Sequence, residues 1–463
     1  MSNSNMSIFE KCVFYEHDEY KIPLHFGFIT KEAEDFAKGR GIVDLSFHKV
    51  YKIAGKDRYT WLSKLTSQTF TENEDTYSKE ALILNPQGYV IFALNVFVDK
   101  NFIYVIEQKD LPLDEISFSD TDKNFESTTQ LCESDVEEEN ENPLQDFFSD
   151  SDLKNFLQKM VFMADVNIED ISTRCEIVAV ANEVNMAGIL GKVCDLADYA
   201  AVWQDPWPCM GAKNATYYNV EYTKALFENI SLDMYTSVEN TIVDTSHPAN
   251  GNKLALCIFE KAKKLDEKTK VEKAEAKEED KEKNLTFSLK STIFEHLAEN
   301  YSPCGILAFE SWKIVNYRPW GYVNQNKVLP HEVDWLRTAV QLNKGCYCGQ
   351  ETVARIVNVG KPPRRLVKLY IDGYMEEIPV KNDPIYIENL EEKQQIGKVL
   401  NVANHYDEGY IALGLIKRNA DTNNAVLVGN LAANCEEIVS PEGRCTASPN
   451  TDNIMNIRKR RLK

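Results

Sequence analysis

A chain of 463 residues with 43% hydrophobic content is long enough for two or three domains with buried cores, which excludes an unstructured polymer. The formal net charge of −20 argues against general nucleic-acid binding, because neutralising phosphates takes clustered lysine and arginine. No apolar run reaches the roughly 18 residues of a membrane-crossing helix, and Met1 to Glu10 shows no targeting pattern, so the expectation is a cytoplasmic protein without a membrane partner. The 11 cysteines, none in CxxC spacing, fit reduced thiols in that compartment.

In chain order, strand-like runs at Val50 to Ile53, Ala81 to Leu84, Val90 to Val98 and Phe102 to Glu107 alternate with a helical run at Asp57 to Leu65. This mixture predicts an α+β body. The range 111–152 is polar and acidic, with Glu137-Glu138-Glu139, and reads as a disordered insert ahead of a helical Leu153 to Met163. Asp205-Pro206-Trp207-Pro208 is an aromatic turn, suited to closing one side of a pocket and equally to a rigid surface turn. The second biased range, 260–284, is almost wholly Lys, Glu, Ala and Asp; with hardly any apolar face to bury, it reads as a solvated spacer.

Trp312, Trp320 and Trp335 then fall close together, among Glu310, Tyr317, Arg318, Tyr322, Glu332 and Arg337. Next comes Lys344-Gly345-Cys346-Tyr347-Cys348-Gly349-Gln350-Glu351-Thr352-Val353-Ala354-Arg355, a glycine-bounded turn leading into a helix predicted over Gln350 to Val357. Cys346 would lie just upstream of the positive end of that helix, with Lys344 as a nearby cation, and both favour the reactive thiolate. Taken alone, the same residues also describe a connector whose cysteine merely packs. Past Gly360 the pattern becomes short strands between turns: Leu366 to Ile371, Ile385 to Ile387, Gly397 to Val402, Ile411 to Ile416 and Ala425 to Val428. They predict a small antiparallel barrel. The expected division is a body over 1–357, a barrel over 358–440 and a flexible tail over 441–463 that ends Arg458-Lys459-Arg460-Arg461-Leu462-Lys463.

Lys-Gly-Cys-Tyr-x-Gly-Gln-Glu resembles the signature of the YgfZ-type proteins, relatives of the glycine-cleavage T-protein. Leu329-Pro330-His331-Glu332-Val333-Asp334-Trp335 and Val359-Gly360-Lys361-Pro362-Pro363-Arg364-Arg365-Leu366 extend it, in a form similar to the actinobacterial branch. Val43-Asp44-Leu45-Ser46-Phe47-His48, Ile53-Ala54-Gly55-Lys56-Asp57 and Leu84-Asn85-Pro86-Gln87-Gly88 resemble the opening of the T-protein fold. The resemblance implies a T-protein-like multi-domain folate-binding body with a C-terminal antiparallel β-barrel. It further implies tetrahydrofolate as cofactor and a role as an accessory protein in iron–sulfur cluster assembly or repair. Iron–sulfur recipient enzymes, tRNA-modifying ones among them, would be its partners. Cys346, its thiolate favoured by the nearby cation Lys344, would then ligate a transient iron or sulfide species or exchange redox equivalents, with no resident metal. Cys348 departs from the branch, which usually has arginine there, and reads as an incidental thiol or a second soft ligand.

A folate pocket needs an aromatic wall and a carboxylate that takes two hydrogen bonds from the pteridine edge. The resemblance assigns these to Glu310, Trp312, Arg318, Trp320, Glu332 and Trp335, with Tyr347, Gln350, Glu351 and Arg355 of the signature as further contacts. The tryptophans alone also fit helix cores. Lys361, Arg364 and Arg365 suit the glutamate tail of a folate or a basic entry to the barrel. A T-protein would carry a catalytic aspartate shortly after the Pro-Gln-Gly turn, where this chain has Phe92 and Ala93, and its Tyr-Thr-Gly-Glu element is not recognisable near Tyr217 to Tyr222. A folate-dependent aminomethyltransferase and a non-catalytic scaffold are the alternative readings.

Overall fold

The computed structural model describes residues 8–17, 20–73, 75–111, 152–182, 186–211, 214–228, 241–243, 245–261, 292–321, 326–373, 378–388 and 393–449. Both predicted inserts, Tyr322 and the basic end of the tail lie almost wholly outside them.

The first sheet is antiparallel, in the order Tyr77–Leu84, Val90–Val98, Ile103–Glu107, Val50–Ala54, Asn167–Asp170. Its strands read as nearly continuous apolar runs because both faces are covered. Phe92, Leu94, Val96 and Val98 point to one face and pack under Trp61, Leu62 and Leu65 of the helix Arg58–Leu65 and Phe156 of the helix Leu153–Lys159. Ala93 and Phe97, one residue out of phase, join the main core on the other face.

The second sheet runs Tyr199–Gln204, Leu254–Glu260, Cys175–Ala181, Gly41–Asp44, Ser302–Cys304, with only its last pair parallel. Ile177 and Ala179 face the main core, whereas Val178 and Val180 pack against Ile293, Phe294 and Leu297 of the helix Thr292–Ala298.

Beyond these sheets lies a closed antiparallel barrel, in the order Arg364–Ile371, Gly409–Lys417, Lys393–His405, Pro384–Glu388, Val426–Val428, Leu431–Glu437. Val367, Leu369, Val399, Ala412 and Ile416 fill it. The architecture is the expected mixed α+β with a C-terminal antiparallel barrel. Two barrel details differ from the sequence reading. Lys393–His405 is 13 residues long and bulges between Val399 and Asn401, and Leu431–Glu437 closes the barrel as a strand that the sequence did not announce.

The helix Ile306–Val315 holds the parts together. It is buried from Ile306 to Ile314, packed between the helix Ile29–Ala37 and the barrel strand Lys393–His405, which is why its sequence, ILAFESWKIV, is apolar nearly all round.

Candidate functional site

The signature segment forms a turn followed by the helix Gln350–Asn358. Gly349 begins the helix at φ 78°, and a Cβ there would meet the Asn85 carbonyl oxygen at 2.7 Å and the Gly88 Cα at 3.0 Å. Gly88 is also left-handed, at φ 88°, and a Cβ on it would lie 2.9 Å from that of Thr352. The Asn-Pro-Gln-Gly turn of the first sheet and the signature turn therefore close backbone to backbone, an approach only glycine permits. A third motif braces the helix: the imidazole of His331 shares a hydrogen bond with the Val353 carbonyl at 3.1 Å. Because a carbonyl only accepts, Nε2 of His331 carries the proton. Burial holds the pKa of His331 down at about 4, so the ring is neutral.

Lys344 reaches back to the helix Arg58–Leu65, donating to the carbonyls of Ser63 and Thr66 at its C-terminal end, where a cation also complements the helix dipole. Its ammonium lies 4.5 Å from the centre of the Tyr347 ring. Burial, with Lys79 nearby, lowers its pKa to about 8. Lys344 is thus a strut for the turn. Cys346 is exposed, and Cys348 is half-buried, its thiol pushed up by burial. Tyr347 and Gln350 are half-buried, while Glu351 and Arg355 are exposed one helical turn apart.

Most of the residues assigned to a folate pocket are engaged inside the protein. Glu332 is fully buried and accepts from the backbone of Leu329 at 2.9 Å and from the backbone, Nε and Nη2 of Arg364 at 3.1, 2.9 and 2.8 Å. That leaves it no lone pair for a pteridine edge, and Arg364 is likewise committed rather than free for a glutamate tail. Arg365 donates to the Arg418 and Ala420 carbonyls and to Thr422. Glu310 pairs with Lys313 at 2.8 Å and accepts from Asn401 of the barrel at 2.8 Å.

Arg318, 0% exposed, grips both oxygens of Asp205 at 2.9 and 3.0 Å and Glu80 at 2.8 Å. Burial raises the pKa of Asp205, and the guanidinium opposes that shift. Glu80 also accepts from Gln108 at 2.9 Å, from the indole of Trp335 at 3.0 Å and from Thr338 at 2.5 Å. It is the hub of this network, and sequence reasoning missed it. Its one signal is a carboxylate beside the apolar run Ala81 to Leu84 of a strand.

Trp312 behaves differently. Its ring stacks on Phe309 at 6.4 Å, and Phe309 meets Trp320 edge-on at 5.3 Å. Trp320 in turn packs 6.1 Å from His48, the last residue of the Val43–His48 motif. The backbone of Lys109 donates to Nδ1 of His48 at 3.3 Å, so Nε2 carries the proton, and burial keeps the ring neutral. The Nε2 of His48, the Nε1 of Trp312 and the Oγ of Ser311 are all buried without a hydrogen-bond partner among the described residues. Such orphaned donors are uncommon in folded proteins. His48 was absent from the sequence-based candidates, although its motif was noted. At the position expected of a T-protein aspartate, Phe92 is 3% and Ala93 0% exposed, with Phe92 packed 5.7 Å from Phe156. No carboxylate stands there.

No family model matches the chain. Over 135 residues it is 30% identical to a putative chloroplastic transferase, At1g60990, of Arabidopsis thaliana, a match that spans 29% of this chain and 29% of that protein. Among solved structures, the glycine cleavage system aminomethyltransferase T of Bartonella henselae superposes with a TM-score of 0.54 at 12% identity, covering 94% of this chain and 95% of that one. The fold is T-protein-like. The likeness of fold runs over nearly the whole of both chains, with little of the sequence shared.

Proposed function

We propose that the chain is a folate-binding accessory protein of the YgfZ type, acting in the cytoplasm in iron–sulfur cluster assembly or repair, with tetrahydrofolate and Cys346 as its working parts. One observation carries the reading. Cys346 stays exposed in a turn whose backbone is fixed by two glycines, a lysine strut and a buried histidine, so the thiol is presented without being needed for packing. The T-protein-like fold and the signature resemblance support it.

We assign tetrahydrofolate to the buried aromatic row, where the N–H donors of His48 and Trp312 and the hydroxyl of Ser311 have no partner among the described residues; all three are closed to solvent, so the row must open to admit a pteridine. Bound there, the cofactor would supply one-carbon or reducing chemistry, while this chain orients it and excludes water. An iron–sulfur species handled at Cys346 is cargo, and its irons favour thiolate ligands. Among the described residues no three metal-binding side chains converge and no helix is long and apolar enough to cross a membrane.

A folate-dependent aminomethyltransferase is the second reading, favoured by the neighbouring fold and opposed by Phe92 and Ala93. Two measurements separate them. Cells lacking the gene are complemented with wild type or Cys346→Ala and assayed for a cluster-dependent tRNA-modifying enzyme. Purified protein is assayed for tetrahydrofolate binding, with Trp312→Phe as the variant, and for aminomethyl transfer from a lipoyl carrier. The accessory reading expects rescue by wild type alone, folate binding weakened in Trp312→Phe, and no turnover. Turnover with the lipoyl carrier would replace it.

A further inference from the structure

Away from the signature turn and the aromatic row, a cavity of about 560 Å³ opens between the start of the helix Val220–Glu228 and the chain that leaves the barrel. Tyr217, Tyr218, Ile438 and Pro449 form its apolar and aromatic wall. Its charges come from Glu221 and Lys224 on the helix and from Glu437, Glu442 and Arg444 on the barrel side. Glu437 pairs with Arg365 at 3.4 Å. The other four, two of each sign, pair neither with one another nor with any described residue.

Of these, Arg444 is the most telling. It is half-buried, and its Nη1 is shut away from solvent with no acceptor among the described residues. A guanidinium N–H buried in that way costs free energy unless an anion or water meets it. The helix adds to the same pole, since its first-turn N–H groups emerge beside Val220 and Glu221 at the cavity rim and Lys224 follows one turn later.

The backbone around this cavity is held in uncommon conformations. Asn219, a lining residue, has φ 39°, and Tyr317, whose ring lies 6.1 Å from that of Tyr218, has φ 53°. Asparagine tolerates this conformation at the start of the helix, and at Tyr317 it closes the helix Ile306–Val315, where the Arg318 N–H donates to the Lys313 carbonyl at 2.8 Å. Tyr218 is further pinned by its hydroxyl to the Ser246 carbonyl at 3.0 Å and by the edge of His247 at 4.9 Å, so the wall is preformed.

We propose that this cavity binds a small zwitterion of the α-amino acid class. Its carboxylate is taken by Arg444, Lys224 and the helix start, its ammonium by Glu221 and Glu442, and its side chain by the tyrosine wall. A simple anion would meet only the two basic residues, and a simple cation only Glu221 and Glu442, which are exposed to solvent; a ligand with both charges complements both signs of the lining. His48 and Trp312 are not among the lining residues, so this site is separate from the folate reading and stands or falls without it.

The test uses the full chain in thermal-shift and calorimetric titrations against the standard α-amino acids at about 10 mM, each beside its deaminated acid and its decarboxylated amine. At least one amino acid should raise the melting temperature while neither singly charged analogue does. Arg444→Met should weaken its binding by about tenfold or more, and Glu442→Gln should weaken it while narrowing the preference over the deaminated acid. Tetrahydrofolate binding, followed on the same samples, should be unchanged in both variants. No response to any amino acid, equal response to the singly charged analogues, or wild-type affinity in both variants would overturn the proposal. If Arg444→Met melts without cooperativity, Glu442→Gln alone decides.

Discussion

Two regions of this molecule carry the same kinds of side chain and put them to opposite uses. At the junction beneath the bridging helix, Arg318 is engaged by Asp205 and Glu80, Lys313 by Glu310, and Arg364 by Glu332. In the signature turn Lys344 is engaged, but Cys346, Glu351 and Arg355 face solvent. Burial explains the difference. A charge removed from water must find a partner or shift its pKa, so the junction's ionic groups are bound to one another and hold the sheets to the barrel. The signature turn is fixed by backbone contact at Gly88 and Gly349, which leaves its side chains available.

The comparison breaks first at Arg318. Replacing it with methionine leaves Glu80 and Asp205 buried without their cation, and the expected loss is about 3–5 kcal/mol of unfolding free energy in a urea titration. A loss below about 1 kcal/mol would mean that the network is well hydrated and the junction is as open as the turn.

Acid is the next largest perturbation. Burial depresses the folded pKa of His331 to about 4 against an ordinary 6.5, so below that ordinary value the unfolded state binds a proton that the native state does not. Stability is then lost as pH falls, by about 3 kcal/mol from this group once the pH reaches its folded pKa. His48 and His247, also buried with depressed pKa values, add to the same slope. Stability that stays flat between about pH 6.5 and 4.5 in denaturant titrations would place these imidazoles in contact with water. Because His331 braces the signature helix, acid should also speed modification of Cys346 relative to a surface-thiol control.

Gly349→Ala sharpens the comparison from the other side. A side chain at φ 78° that meets the Asn85 carbonyl should cost about 1–3 kcal/mol and loosen the turn, read as a lower melting temperature with a changed rate of Cys346 alkylation. If the alkylation rate is unchanged, glycine contact does not present the thiol.

How much of this was legible depended on whether partners were local. The strand Val90–Val98 was readable because its β-branched and aromatic run needs no other segment to declare itself, and the signature turn because Gly345 and Gly349 bracket it. The strand Leu431–Glu437 was not, since Ala, Asn and Glu carry little strand preference and it is the barrel's closure that holds them. Cys175–Ala181 and Leu254–Glu260, the middle of the second sheet, lie in the stretch between the two inserts where the motif resemblance was thinnest. Glu80, Asp205 and Arg318 stand far apart in sequence, and only the folded chain shows that the tryptophan region's charges close on one another. The carboxylates Glu310 and Glu332 had the right chemistry for a ligand, and nothing in the sequence revealed that Lys313, Asn401 and Arg364 would reach them first.

The smallest effect on stability belongs to the residue with the largest proposed effect on function. Cys346 is exposed, and none of the contacts that hold its turn passes through the thiol: they run through the backbone of Gly349, the ammonium of Lys344 and the imidazole of His331. Cys346→Ala should therefore change the unfolding free energy by no more than about 0.5 kcal/mol, measured beside Arg318→Met under the same conditions. Complementation of the cluster-dependent enzyme should nevertheless fail with that variant and succeed with Cys348→Ser, whose half-buried thiol carries no role in the proposal. A stability loss above about 1 kcal/mol for Cys346→Ala would show that the thiol packs after all, and any loss of function would then have a structural cause. The separation between a costly junction and an expendable thiol is what allows an activity change at Cys346 to be read as chemistry.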